Sequence, residues 1–238
     1  MSLSSSNRSL ATRLWYGFLK FVCRLLALVA YRIRCYGREH LPTTGGVLLL
    51  SNHQSNLDPV IVGLTSNRRL NYMARETLFR FGPFRWLIHS LDAIPIDREG
   101  LGLAGLKETL KRLRRGEIVL MFPEGTRTRD GELASIKPGF CALARRGSVP
   151  LVPVAIDGAF QAWPRSQMLP RTGMLRVVYG PPLLPSEIEP LDDQRLIAEI
   201  ERRMAACFEH ARASRRRALS ARQPPGSPTG PDCARARS

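Results

Sequence analysis

Acidic side chains are scarce in this sequence: 20 Asp and Glu stand against 36 Lys and Arg, for a net charge of +16 over 238 residues. The imbalance is confined to the ends. Residues 1–38 contain no acid and carry +7, residues 212–238 carry +6, and the long stretch between them carries only +3. A nucleic-acid-binding core would carry its own strong basic face, so no nucleic acid is expected as a partner. Basic ends suit an anionic surface, either phospholipid or nucleic acid. Cysteine is also sparse. The five are scattered at 23, 35, 141, 207 and 233 with no C-x-x-C pair, which excludes a disulfide framework and a zinc site and indicates a reducing compartment. There is no G-x-S-x-G, so no nucleophile elbow, and no H-E-x-x-H. No metal or bound cofactor is expected. What remains is an ordinary globular composition, 44% apolar and 24% charged.

A long uninterrupted apolar run is missing as well. Residues 14–31 come nearest, with apolar side chains at Trp15, Phe18, Leu19, Val22, Leu25, Leu26 and Val29 on one helical stripe. Arg13, Lys20, Arg24 and Tyr31 fall on the other side. Lys20 and Arg24 interrupt the run below the ~20 residues that span a bilayer, and they also spoil the apolar core of a signal peptide. The pattern fits a helix lying in a membrane interface, apolar face among acyl chains and cations at lipid phosphates. A helix packed on the protein's own core has the same pattern.

Short apolar runs at Gly45–Asn52, Leu70–Ala74, Ala93–Ile96, Glu117–Phe122, Leu151–Ile156 and Met174–Tyr179 predict buried strands. Helical spacing predicts helices over Leu101–Arg115, stopped by Gly116, over Pro138–Arg146, and over Asp192–Ala218. Strands alternating with helices give an α/β domain with a mixed, largely parallel sheet flanked by helices. Three regions are expected: an amphipathic, membrane-associated segment over 1–34, a folded domain over 35–211, and a basic tail over 212–238 whose Pro-rich end reads as disordered. The arginines of that tail (Arg212, Arg215, Arg216, Arg217 and Arg222) offer a second electrostatic membrane contact; their plainer reading is a solvated helix end.

Two polar clusters follow apolar strands directly. In Asn52-His53-Gln54-Ser55-Asn56-Leu57-Asp58-Pro59, His53 stands at a strand's end, and Asp58 before Pro59 reads as a helix N-cap. Across the loop between them the two side chains can meet. An Asp that accepts from one imidazole nitrogen leaves the other free to take a proton. With no nucleophile of the protein's own, such a dyad would activate a substrate hydroxyl. In Phe122-Pro123-Glu124-Gly125-Thr126-Arg127 an acceptor, a close-approach glycine, a hydroxyl and a bidentate donor are gathered at the end of a second strand. Strand ends that form a crevice are where α/β proteins bind ligands.

These residues resemble the glycerolipid acyltransferases, in the branch that acylates 1-acyl-glycerol 3-phosphate. Asn-His-x4-Asp at 52–58 is similar to the family's first motif and Phe-Pro-Glu-Gly-Thr-Arg at 122–127 to its third. Ala93–Arg98, ending in Asp97-Arg98, is similar to the second, although Pro95 and Ile96 stand where an aromatic is common. Val149–Val154 is similar to the fourth, and the likeness runs from about 35 to 180. It implies the family's fold and a transfer of an acyl group from acyl-CoA or acyl carrier protein to lysophosphatidate, giving phosphatidate. His53 would be the general base and Asp58 its partner. Glu124, Gly125, Thr126 and Arg127 would bind the acceptor, Arg98 its phosphate, and Lys137, before a helix start, would supply a second phosphate contact. It also implies a monotopic enzyme on an anionic membrane, with its catalytic domain facing the cytoplasm. Another lyso-lipid or glycerol 3-phosphate would serve as acceptor in a second reading. A non-catalytic basic protein that binds membrane or nucleic acid through its ends is a third.

Overall fold

The computed structural model describes residues 30–75, 94–96, 102–167 and 169–222. Its strands are β1 (Arg34–Tyr36), β2 (Val47–Ser51), β3 (Leu70–Arg75), β4 (Ile94–Ile96), β5 (Ile118–Met121), β6 (Leu151–Asp157) and β7 (Arg176–Tyr179). Its helices are α1 (Asp58–Thr65), α2 (Gly102–Arg114), α3 (Gly139–Gly147), α4 (Ala159–Ala162), α5 (Pro185–Ile188) and α6 (Asp193–Ser220). The seven strands form one sheet in the order β1-β7-β6-β2-β5-β3-β4, and every neighbouring pair is parallel except β6 with β7. The expected strands all form: four are trimmed by one to three residues, and β3 and β6 each run one residue longer. β1 and the two one-turn helices were not legible, because three or four residues carry too little periodicity to register.

Val47–Leu50 are wholly buried, as are Ile118–Leu120 and most of β6. Burial on both faces explains why these strands read as continuous apolar runs rather than alternating ones. Val47, Leu49, Ile118, Leu120, Val152, Val154 and Ile156 point to a face closed by Ile61 and Val62 of α1. Leu48, Leu50, Val119 and Leu151 point to the opposite face. There Leu110 and Leu113 of α2, Phe140 and Leu143 of α3, and Leu196, Ile200 and Met204 of α6 cover them. Farther along α6, Cys207, Phe208 and Ala211 cover Ala155 and Val178.

The C-terminal helix departs from expectation in one respect. It starts as predicted, with the Asp192 carboxylate accepting from the Arg195 N–H at 2.7 Å. It then runs unbroken to Ser220, so the boundary expected at residue 212 falls inside a helix that is packed on the sheet. Ser214 is buried against the Tyr36 hydroxyl at 2.7 Å. The Arg215 guanidinium donates to Asp157, a buried carboxylate at the end of β6. Arg212 donates to Glu132 at 2.6 Å and lies over the Phe208 ring. Arg212 and Arg215 are therefore engaged within the protein, which removes them from the proposed membrane contact. Arg216 and Arg217, on the outer side of the helix, are exposed. Residues 223–238 lie outside the described residues. So does the expected N-terminal helix, apart from Ala30 and Tyr31, which are helical. Among the described residues no helix is long and apolar enough to cross a membrane.

Removing the partner of a buried carboxylate leaves that group charged and poorly solvated. Arg215→Ala should lower the unfolding free energy by about 2 kcal/mol. Arg216→Ala, one residue on but solvent-facing, should change it by less than about 0.5 kcal/mol. Urea denaturation of the two variants checks the contrast.

Candidate active site

β2 and β5 are parallel neighbours with Leu50 opposite Met121. The two polar clusters therefore leave the sheet side by side, at the same edge. Asn52 makes the exit possible. Its side-chain amide donates to the Ile156 carbonyl at 2.9 Å and accepts from the Ile156 N–H at 2.8 Å. The side chain thus continues the pairing with β6 after the backbone has turned away. On the far side of His53, Gln54 is buried too. It donates to the Gly131 carbonyl at 2.7 Å and accepts from the Phe160 N–H at 3.3 Å. Ser55 donates to the Trp163 carbonyl at 2.8 Å. The residues around His53 are clamped, and the His53 side chain is left about one-fifth exposed.

His53 Nδ1 lies 2.8 Å from Asp58 Oδ2. The same oxygen accepts from the Gln54 N–H at 2.6 Å and the Ser55 N–H at 2.7 Å. Two fixed backbone donors hold the carboxylate as an acceptor, so the proton in the His53–Asp58 contact sits on Nδ1 and Nε2 carries the free lone pair. The imidazole stacks on Phe122 with ring centroids 4.0 Å apart. Phe122 stands at the end of β5, so both clusters contribute to the position of one ring. Asp58 corrects an expectation: it occupies the first turn of α1 with Leu57 at the cap position. Its carboxylate turns back to the loop rather than capping the helix, and it is completely buried.

Glu124 is 3% exposed. Its Oε1 accepts from the His53 N–H at 3.4 Å, and its Oε2 has no hydrogen-bond partner among the described residues. Burial, reinforced by the nearby Asp58 charge, pushes the Glu124 carboxyl up to about 8. At neutral pH Glu124 is thus a neutral acid, able to donate as well as accept. Gly125 has φ +72°, and a Cβ there would meet Lys137 Nζ at 3.0 Å. Glycine lets the Lys137 side chain lie across the turn. Lys137 is tied by its own N–H to the Pro123 carbonyl at 2.9 Å and directly precedes Pro138 and α3. Thr126 is exposed, and Arg127 donates to Asn56 at 2.6 Å, linking the two clusters. Glu124, Gly125, Arg127 and Lys137 are thus gathered beside the His53–Asp58 pair. Arg98 lies outside the described residues.

Sequence reasoning missed the supporting polar residues Gln54, Ser55 and Thr128. Thr128 donates its N–H to the His53 carbonyl at 2.8 Å, and its hydroxyl donates to Asp130 at 2.7 Å. The available signal was position: polar side chains beside the buried end of an apolar strand must find partners.

Glu124 titrates at 4.5 when exposed and at about 8 in the fold. Between those values the unfolded chain has lost a proton that the native one keeps, so stability falls as pH rises from about 5 to 8. Glu124→Gln, which cannot ionise, should flatten that fall and raise the melting temperature at pH 8. Thermal melts of both proteins across this range test it. A steeper decline in the variant would contradict the buried neutral acid.

Comparison with known proteins agrees with this geometry. Residues 32–157 match the family model described as Acyltransferase. The 1-acyl-sn-glycerol-3-phosphate acyltransferase of Bacillus subtilis is 30% identical over 187 residues, 77% of this chain and 89% of that protein. The enzyme of the same name from Pseudomonas aeruginosa is 33% identical over 196 residues, 81% of this chain and 72% of its own length. Among solved structures, the 1-acyl-sn-glycerophosphate acyltransferase PlsC of Thermotoga maritima superposes with a TM-score of 0.70 at 22% identity, covering 92% of this chain and 85% of that one. With its fold, its paired polar clusters and its relatives in agreement, this chain belongs to the acyltransferase family.

Proposed function

We propose that this protein transfers a fatty acyl group from an acyl thioester to the free hydroxyl of 1-acyl-glycerol 3-phosphate, forming phosphatidate. The observation that carries the chemistry is the buried Asp58 oxygen, which accepts from Nδ1 of His53 and leaves Nε2 as a base at the rim of the cleft. The curated relatives that span most of this chain carry that activity in their names.

Nε2 takes the proton of the acceptor hydroxyl as its oxygen attacks the thioester carbonyl. The tetrahedral intermediate then expels the thiolate, breaking the C–S bond, and the imidazolium returns the proton to sulfur. Asp58 stabilises the imidazolium in the interval, and the Phe122 ring keeps the imidazole from turning out of line. No acyl-enzyme is needed. Positioning two bound substrates supplies the rest of the acceleration.

The acceptor binds at the β5 turn. Its phosphate carries two negative charges near neutral pH and meets Arg127 and Lys137, while the neutral Glu124 can hydrogen-bond a glycerol oxygen without repelling the phosphate. Arg98 adds a further cation in this reading. The acceptor is a membrane lipid, and the apolar stripe before Ala30 holds the protein on an anionic bilayer.

His53→Ala should lower kcat by about 10²–10⁴ with little change in melting temperature. Lys137→Ala should instead raise KM for lysophosphatidate and leave KM for the donor unchanged. Steady-state assays with acyl-CoA and lysophosphatidate in mixed vesicles separate the two effects. Full activity in His53→Ala would remove the base assignment.

A further inference from the structure

The sheet register brings the N-terminal entry of the chain to the catalytic edge. Arg34 stands opposite Arg176, and Arg176 opposite Asp157, at the same end of the sheet where β2 releases His53. From β1 to β2 is three strand spacings, roughly 15 Å. Ala30 and Tyr31 are clipped to the start of β7: their carbonyls accept from the Gly173 and Leu175 N–H groups at 3.1 and 3.0 Å. The chain turns into β1 at Arg32, which has φ +43°. The Arg32 carbonyl accepts from the buried Arg176 guanidinium at 3.0 Å.

The connection from β6 to β7 fills the space between this entry and the active site. On one side it holds the catalytic loop, through Ser55 to Trp163 and Gln54 to Phe160. On the other it holds Ala30 and Tyr31. Its turn is fixed internally: the Trp163 indole donates to the Gln167 carbonyl at 2.9 Å, and the Arg171 N–H to the Ala162 carbonyl at 2.7 Å. At the tip Leu169 is 77% exposed. Arg165 and Arg171 flank it and are exposed, as are Arg32 and Arg34. Neither 30–36 nor 158–176 contains an Asp or Glu. A connection that exposes a leucine between two exposed arginines, beside the entry of an apolar segment, has the chemistry of a surface that meets lipid headgroups.

We propose that residues 30–36 and the 158–176 connection form a membrane-docking rim. Leu169 enters the headgroup–acyl boundary, and Arg32, Arg34, Arg165 and Arg171 meet the phosphates of anionic phospholipids. The rim sets the catalytic edge against the bilayer, so an acceptor lipid need only slide along the sheet edge to reach His53. The proposal rests on the acyltransferase reading for the nature of that acceptor.

The test uses the full chain, with Leu169→Asp and the double variant Arg165→Gln/Arg171→Gln. Cosedimentation measures affinity for vesicles of phosphatidylcholine, alone or mixed with phosphatidylglycerol. The double variant should bind the anionic vesicles about tenfold more weakly and the neutral ones unchanged. Leu169→Asp should weaken binding to both. With a short-chain lysophosphatidate dissolved as monomers, kcat/KM should equal that of the wild type in every variant. With the acceptor embedded in vesicles it should fall. Unchanged vesicle affinity in all variants would overturn the proposal. So would an equal loss on dissolved and embedded acceptor, which would make the loop part of the substrate site, or a loss confined to donor KM, which would make it a donor contact. A wild type inactive on both acceptors would sink the acyltransferase reading, while the vesicle arm still decides the rim.

Discussion

The site depends on one buried oxygen. Asp58 Oδ2 gathers the Gln54 and Ser55 backbone N–H groups and the Nδ1 proton of His53 within 2.6–2.8 Å. A carboxylate with no exposure is tolerable only because fixed donors replace its water. The donors come from the loop that precedes α1, so loop conformation, the tautomer of His53 and the entry of α1 are settled together. Arrangement by backbone donors also makes the dyad stiff. Its acceptor cannot rotate away without leaving two buried N–H groups unpaired.

A second constraint sits next to the first. Glu124 is drawn into the same apolar surroundings without an equivalent set of donors, and there the balance goes the other way: the group keeps its proton. Both carboxyl groups are buried, each with one oxygen that has no partner among the described residues; they differ in the donors on the other oxygen, three at Asp58 Oδ2 and the His53 N–H at Glu124 Oε1. In the proposed reading, a neutral Glu124 spares an acceptor phosphate beside Arg127 and Lys137 one repulsion.

Much of this was legible in the sequence. Apolar runs such as Val47–Leu50 and Ile118–Leu120 fixed the strands, since strands buried on both faces leave few alternatives. His53 and Glu124 were recognisable because polar residues stood at the ends of those runs. The orientation of Asp58 was not legible. A carboxylate before proline reads as a cap, and only the three-dimensional course of residues 53–57 turns it inward. The fates of Arg212 and Arg215 were hidden for a related reason. A basic run looks uniformly solvated until the helix phase sets some members against Glu132 and Asp157. The positions of Gln54 and Ser55 depend on partners about 80 to 110 residues away in the chain, which local patterns do not encode.

The last helix closes one face of the sheet and also holds the loop that carries Lys137: Arg212 bonds Glu132, and Glu201 accepts from the Ile136 N–H at 3.2 Å. Chain order gives this a consequence in synthesis. Every candidate site residue leaves the ribosome well before α6 does, yet Leu48, Leu50 and Leu151 have no complete cover, and the Lys137 loop no brace, until α6 has emerged. The nascent protein therefore carries its chemical groups before it can hold them in register. The part of the sheet face that α2 and α3 leave uncovered stays open for that interval, when a chaperone or a nearby bilayer could shield it.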